Sequence, residues 1–344
     1  MSGDIQPPAG PGHHGHHGSG PPSTFVNPVY ARYLADPFCW LYDGVYYAVG
    51  TGAEECGING LSGRVVPMVK SADLQHWQSV GRVLVPPQEE LGGCFWAPEV
   101  AVHEGRFFMY YHPNGNGRGH HVRLAIADHP EGPYIDTGRP LTDLQRNPFA
   151  IDAHPFRDDD GQWYLFYATD FPDFDAHTFR GTALVVDRLI GMTELAGEPR
   201  VVMRAHWPWQ RFQAQRTALG VTADWYTLEG PTVIKRHGRY VCFYSGGCFE
   251  NDSYGVDYLF ADHPFGPWRE VGGARGPQLL RSVPGQVIGP GHHSMVTTPA
   301  GIDHVVYHAW NPAMTDRLMC VDRLDWIGGV PAVARFMPTA INPR

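Results

Sequence analysis

A turn glycine followed by an aromatic or apolar strand occurs five times in this chain, and that repetition constrains the fold more than any local propensity. The five are Gly44 before Val45-Tyr46-Tyr47-Ala48-Val49, Gly105 before Arg106-Phe107-Phe108-Met109-Tyr110, Gly161 before Gln162-Trp163-Tyr164-Leu165-Phe166, Gly238 before Arg239-Tyr240-Val241-Cys242-Phe243, and Gly301 before Ile302-Asp303-His304-Val305-Val306. Each marks a hairpin. A third apolar run follows every hairpin, at 66–69, 122–127, 183–186, 256–260 and 318–321, and several units close through a turn into a fourth strand, as at His76-Trp77, Pro133-Tyr134 and Pro267-Trp268. Successive glycines lie 61, 56, 77 and 63 residues apart, which suits four-stranded blades with loop insertions. The expected fold is all-β: a five-bladed β-propeller of antiparallel blades around a central channel. The longest interval holds residues 205–225, rich in Trp and Arg, expected as a loop over one face of the propeller.

Composition agrees with many short strands and tight turns: 41 Gly, 31 Pro, 12% aromatic and only 18% charged residues, a profile that disfavours a helical protein. The formal net charge of −9, with no run of Lys or Arg, leaves no electrostatic footprint for nucleic acid or an anionic membrane. No apolar stretch approaches the roughly 18 residues of a membrane span, and no secretory signal is visible, so a cytoplasmic location is expected. The six cysteines (Cys39, Cys56, Cys94, Cys242, Cys248 and Cys320) show no CxxC pairing and are expected as free, mostly buried thiols. Residues 1–26 are expected as a flexible tail rich in Gly, Pro and His, because they bury too little apolar surface to offset chain entropy. The His13-His14-Gly15-His16-His17 run in it is read as adventitious metal binding or an added tag. Residues 27–344 form one domain in this reading.

Counting back eight or nine positions from each turn glycine gives Asp36, Trp96, Asp152, Glu229 and His292. The first strand of a propeller blade lines the channel, so equivalent positions in successive blades form a ring at one end of it. An isolated Asp before Pro, as in Asp36-Pro37, is ordinarily a turn residue. Three carboxylates converging on a channel have no comparable structural use. Crowded and poorly solvated, they shift one another's pKa, so that one stays protonated beside an ionised neighbour, as acid–base chemistry requires. Paired carboxyls suit glycosidic bond cleavage: one protonates the leaving oxygen, while the other activates water or attacks directly. Sugar faces stack on rings, and Trp96, with Phe38, Trp40, Phe95, Trp225 and Tyr226 nearby, would supply aromatic walls.

At these residues the chain resembles the family 43 glycoside hydrolases, five-bladed propellers acting on arabinan, arabinoxylan and xylan fragments. The resemblance spans 27–331 and is carried by Ala35-Asp36-Pro37, Trp96-Ala97-Pro98, Ile151-Asp152, Leu228-Glu229-Gly230-Pro231, Gly291-His292-His293-Ser294 and Tyr307-His308-Ala309. It implies that Asp36 is the base that activates water, Glu229 the acid, and Asp152 the carboxylate that orients the acid and raises its pKa, with inversion at the anomeric carbon. It further implies that Arg317 reaches the sugar and that His292 is the channel histidine, with His293 one position away as the competing assignment and a candidate sugar contact. No cofactor is required for the chemistry. A structural calcium in the channel near His292, held mainly through water, is expected from the gathered negative charge. The partner is an oligosaccharide. Release of terminal α-L-arabinofuranose from arabinan or arabinoxylan fragments is favoured, with β-D-xylosidase activity as the rival and a non-catalytic sugar-binding propeller as the alternative of another class.

Overall fold

In the computed structural model, which describes residues 25–52, 63–87, 94–113, 120–143, 145, 148–218 and 220–337, all five turn glycines hold φ between 74° and 87°. A residue without Cβ enters that region freely, which is why glycine marks each turn. The turns join Ala35–Tyr42 to Val45–Thr51, Phe95–His103 to Arg106–Pro113, Ala150–Arg157 to Trp163–Phe171, Leu228–Arg236 to Arg239–Gly246, and Ile288–Thr297 to Asp303–Trp310, all antiparallel. The third strands are Val65–Ser71, Arg123–Ala127, Gly181–Ile190, Gly255–Ala261 and Arg317–Ile327. Trp77–Val85, Tyr134–Pro140, Arg200–Met203 and Arg269–Glu270 complete the first four blades. The fifth is completed from the other end of the chain, by Tyr30–Tyr33 pairing with Arg317–Ile327.

The first strands stand side by side in a closed ring, blade one against two, two against three, and so on until five meets one. Five apolar clusters fill the five spaces between neighbouring blades: Trp40 and Phe107 between one and two, Phe108 and Leu165 between two and three, Phe166 and Val233 between three and four, Phe243 and Tyr307 between four and five, and Cys39 and Val306 between five and one. Each blade is therefore buried on both faces. Its strands read as near-continuous apolar runs, as in Val45–Thr51, rather than as alternating ones.

The insertion at 205–225 differs from its expected form. It is a β-hairpin, Arg211–Ala218 with Val221–Tyr226, docked on blade three through the pairing of Gly181 with Tyr226. Cys94 is disulfide-bonded, which corrects the expectation of free thiols there, whereas Cys39, Cys242, Cys248 and Cys320 are free. The tail at 1–24, the segments 53–62 and 114–119, and Cys56 lie outside the described residues. Among the described residues no helix is long and apolar enough to cross a membrane.

Candidate active site

Every first strand is interrupted at the same place by a bulge, between Ala35 and Phe38, Trp96 and Glu99, Ile151 and His154, Glu229 and Thr232, and Gly291 and Ser294. There the backbone turns left-handed, at Asp36 (φ 51°), Ala97 (42°), Asp152 (56°), Gly230 (54°) and His292 (41°). Four of these five residues carry a Cβ, and such strain persists only where the surroundings over-determine it. A bulge takes a backbone N–H out of the strand ladder, and leaving a buried N–H unpaired costs about 1–3 kcal/mol. Each is satisfied by a side chain from the preceding blade: Ala97 N–H by Thr51 Oγ1 (3.0 Å), Asp152 N–H by His112 Nδ1 (3.4 Å), Gly230 N–H by Asp152 Oδ2 (3.0 Å), His292 N–H by Ser245 Oγ (2.8 Å) and Asp36 N–H by His308 Nδ1 (3.1 Å).

The expected ring is thus real but offset in two blades. Ala97 and Gly230 are the equivalents of Asp36, Asp152 and His292, and Trp96 and Glu229 precede them by one residue. Asp36, Trp96, Asp152, Glu229, His292 and Arg317 nonetheless line a single cavity of about 410 Å³. Phe212 and Arg216 from the inserted hairpin, with Phe249 from blade four, complete its wall.

The carboxyls in this cavity are displaced in opposite directions. Burial alone would raise the pKa of Asp36, but His292, Arg317 and His308 outweigh it and hold the group well below the usual range. Arg317 Nη1 lies 3.2 Å from Asp36 Oδ1, and its Nη2 and Nε donate to Tyr33 Oη at 2.7 and 3.1 Å. Thr51 Oγ1 donates to Asp36 Oδ2 at 2.6 Å. Burial lowers the pKa of His292 and takes that of His308 down to about 4. Both imidazoles are therefore neutral near pH 7, and Arg317 supplies the permanent positive charge. Glu229 is pushed up to about 7 by burial; the Tyr254 hydroxyl, donating to Oε1 at 2.6 Å, pulls it down, and the charge of Asp36 adds to the rise. Asp152 is also raised well above its ordinary value, by burial and then by Glu229 and Asp36, against the Gly230 N–H bond. Two buried neighbouring carboxyls hold their last proton jointly.

Two expected sugar contacts lie elsewhere. Phe38 stacks on Trp40 (6.0 Å between centroids) and packs into the cluster between blades one and two, because the bulge at Asp36 resets the alternation of the strand. His293 is 1% exposed, with its ring against Phe243 and neither ring nitrogen bonded; the bulge turns His292, and not His293, into the cavity. Trp40 and Trp225 are buried away from the cavity as well. Trp96 has one face covered by His120, stacked at 5.2 Å, so only its other face is available to a ligand. The residues not anticipated are Tyr33, Thr51, His112, Tyr254 and the hairpin pair. A signal for two of them exists: Thr51, His112, Ser245 and His308 all stand seven positions after their turn glycines.

Among the described residues no three His, Cys, Asp or Glu side chains converge so as to hold a metal ion. Around His292 no such protein ligand set is present among the described residues.

A propeller whose channel mouth gathers three buried carboxyls in an aromatic-walled cavity suits a glycoside hydrolase. Residues 25–331 match the sequence profile of Glycosyl hydrolases family 43, and the chain belongs to that family. It is 29% identical over 317 residues to a beta-D-galactofuranosidase of Aspergillus niger, covering 87% of this chain and 81% of the relative. A xylosidase/arabinosidase of Bacteroides ovatus is 21% identical, over 70% and 77% of the two chains. Among solved structures, a thermostable family-43 glycoside hydrolase superposes with a TM-score of 0.75 at 29% identity, over 93% of this chain and 98% of that one. An endo-1,4-beta-xylanase of Bacteroides thetaiotaomicron gives 0.71 at 26%, over 89% and 95%.

Proposed function

We propose that the protein is an inverting, exo-acting furanosidase that releases terminal α-L-arabinofuranose from plant cell-wall oligosaccharides. The observation that carries the acid–base assignment is the opposed displacement of Asp36 and Glu229 in one cavity. Asp36, ionised, takes a proton from a water molecule as that water attacks the anomeric carbon. The bond from that carbon to the leaving oxygen breaks, and Glu229, protonated, transfers its proton to that oxygen. Asp152 is the carboxylate that orients Glu229: its Oδ2 accepts the Gly230 N–H, which favours charge on Asp152 against the rise that burial and Glu229 impose.

A furanose is favoured because the galactofuranosidase and arabinosidase names among the relatives share one ring chemistry. β-D-galactofuranose and α-L-arabinofuranose have the same ring configuration and differ by one exocyclic CHOH group. The cavity, closed on one side by the hairpin, suits a chain end. The deciding experiment compares kcat/KM on aryl α-L-arabinofuranoside, β-D-galactofuranoside and β-D-xyloside, with product configuration followed by NMR. A tenfold or greater preference for the xyloside, about 1.4 kcal/mol in transition-state binding, overturns the furanose assignment. Retained configuration overturns Asp36 as base. Asp36→Asn and Glu229→Gln are each expected to lower kcat by a factor on the order of 10² to 10⁴ with the fold intact; near-wild-type rates in either would remove its role.

A further inference from the structure

The side chains seven positions after the turn glycines face one another's blades in a regular way. Each sits across the strand pair from the residue preceding the bulge: Thr51 opposite Ala35, His112 opposite Trp96, Ala168 opposite Ile151, Ser245 opposite Glu229 and His308 opposite Gly291. Four of them accept the bulge N–H of the next blade. Ala168 is the exception. It is fully buried and has no polar atom to offer, so the N–H that it would serve, that of Gly230, takes Asp152 Oδ2 instead.

The first blade shows what the missing hydroxyl does. Asp36 and Asp152 occupy the same bulge position, yet among the described residues Asp36 reaches the next blade through Thr51, whose Oγ1 donates to Asp36 Oδ2 and accepts the Ala97 N–H. In blade three no hydroxyl is interposed. The Asp152 carboxylate bonds the backbone directly, its Oδ2 accepting the Gly230 N–H at 3.0 Å. Gly230 follows Glu229 in the chain, so this bond draws Asp152 against the strand that carries the acid.

We infer that Ala168 is a positioning residue: by withholding a hydrogen-bond acceptor, it leaves the Gly230 N–H to Asp152 and thereby sets that carboxylate beside Glu229. The difference between a water-activating Asp36 and an acid-orienting Asp152, at equivalent strand positions, then follows from Thr51 against Ala168. The inference rests on the acid–base roles proposed above. It also places Asp152 where the Glu229 charge, after burial, is the largest influence raising its pKa, whereas Asp36, held behind Thr51 and beside Arg317, is lowered by His292, Arg317 and His308.

The test is Ala168→Ser, with Ala168→Thr and Ala168→Val as a pair equal in shape but differing in the hydroxyl. In a crystal structure of A168S, the introduced hydroxyl is expected to accept the Gly230 N–H and Asp152 to withdraw from it. This readout stands even if the substrate assignment fails. On whichever aryl glycoside the wild type hydrolyses, A168S and A168T are expected to move the alkaline limb of kcat/KM to lower pH by about half a unit or more, because the repulsion between the Asp152 and Glu229 carboxylates weakens as Asp152 withdraws. A168V, whatever its effect on rate, keeps the limb in place. The inference is overturned if Asp152 stays on the Gly230 N–H in A168S, if the limb stays put in A168S and A168T, or if A168V moves it as far as A168T does.

Discussion

The Asp36 carboxylate is buried yet ionised, and the sign of one residue's contribution to that state is testable. Arg317 is the permanent cation at 3.2 Å, so replacing it by Met removes charge that favours the carboxylate and raises the Asp36 pKa. A base works only when ionised. Activity is therefore present above its pKa and lost as pH falls through it. In Arg317→Met the acidic limb of kcat/KM should move to higher pH, while Arg317→Lys should restore part of the difference. The other limb belongs to the acid, which works only when protonated, so wild-type kcat/KM should fall as pH rises through about 7. A pH–rate profile on one aryl glycoside measures both limbs; an acidic limb unmoved in Arg317→Met would show that Arg317 does not set the base. At this scale the carboxylates were legible in the sequence because three of them recur within one residue of the same repeat position. Thr51, His112, Ser245 and His308 recur just as regularly, at seven residues after the glycine, but Thr, His and Ser are common core and turn residues. Only the bulge that frees an N–H for each of them gives the position meaning.

The inner strand is the element that matters most, and its bulge was the part hidden from the sequence. Turn glycines announce themselves because φ near +80° excludes most other residues, whereas the bulge position is occupied by Asp, Ala, Asp, Gly and His. With no residue type in common, the inward positions after it cannot be counted by simple alternation, which is why Phe38 and His293 were expected in the cavity and are not there. The position before the bulge carries a separate constraint in blade five. A Cβ at Gly291 would overlap the Tyr254 ring, whose hydroxyl donates to Glu229 Oε1. Gly291→Ala must displace a fully buried tyrosine, at a cost of about 1–3 kcal/mol, and take its hydroxyl off the acid. Loss of that bond should raise the Glu229 pKa, so the alkaline limb should move to higher pH, as it should in Tyr254→Phe. Denaturant unfolding distinguishes the two variants, since only Gly291→Ala is expected to lose stability through overpacking. A Gly291→Ala protein with wild-type stability and pH profile would mean that the ring moves aside without cost.

On the scale of the whole molecule, a ring of five blades has to be closed, and the closing strand lies at the far end of the sequence from its blade. Tyr30–Tyr33 pairs with Arg317–Ile327, Asn27 exchanges two hydrogen bonds with Val321, and Val29 and Phe25 join the cluster between blades five and one. The repeat signalled five hairpins and their third strands, but a four-residue strand separated from its partner by the length of the domain has no local signal. Its position also ties closure to the site. Tyr33, the last residue of that strand, binds the Arg317 guanidinium that faces Asp36. A chain beginning at Phe25 keeps every described residue and is the reference for a shorter one. A chain beginning at Leu34 loses the burial of Val29, Phe25 and Tyr30, about 3 kcal/mol or more, so its melting temperature should fall by about 5 °C or more. Its kcat/KM should fall too. Tyr33→Phe separates the two losses: it leaves the strand and removes only the hydroxyl, so its melting temperature should match that of the wild type while its acidic limb moves in the direction set by Arg317→Met, because a guanidinium held less firmly stabilises the Asp36 charge less. Calorimetry and a pH–rate profile on these three proteins decide the matter. If the chain beginning at Leu34 melts with the full-length protein, closure does not depend on this strand; if Tyr33→Phe leaves the acidic limb where it was, closure and catalysis are independent.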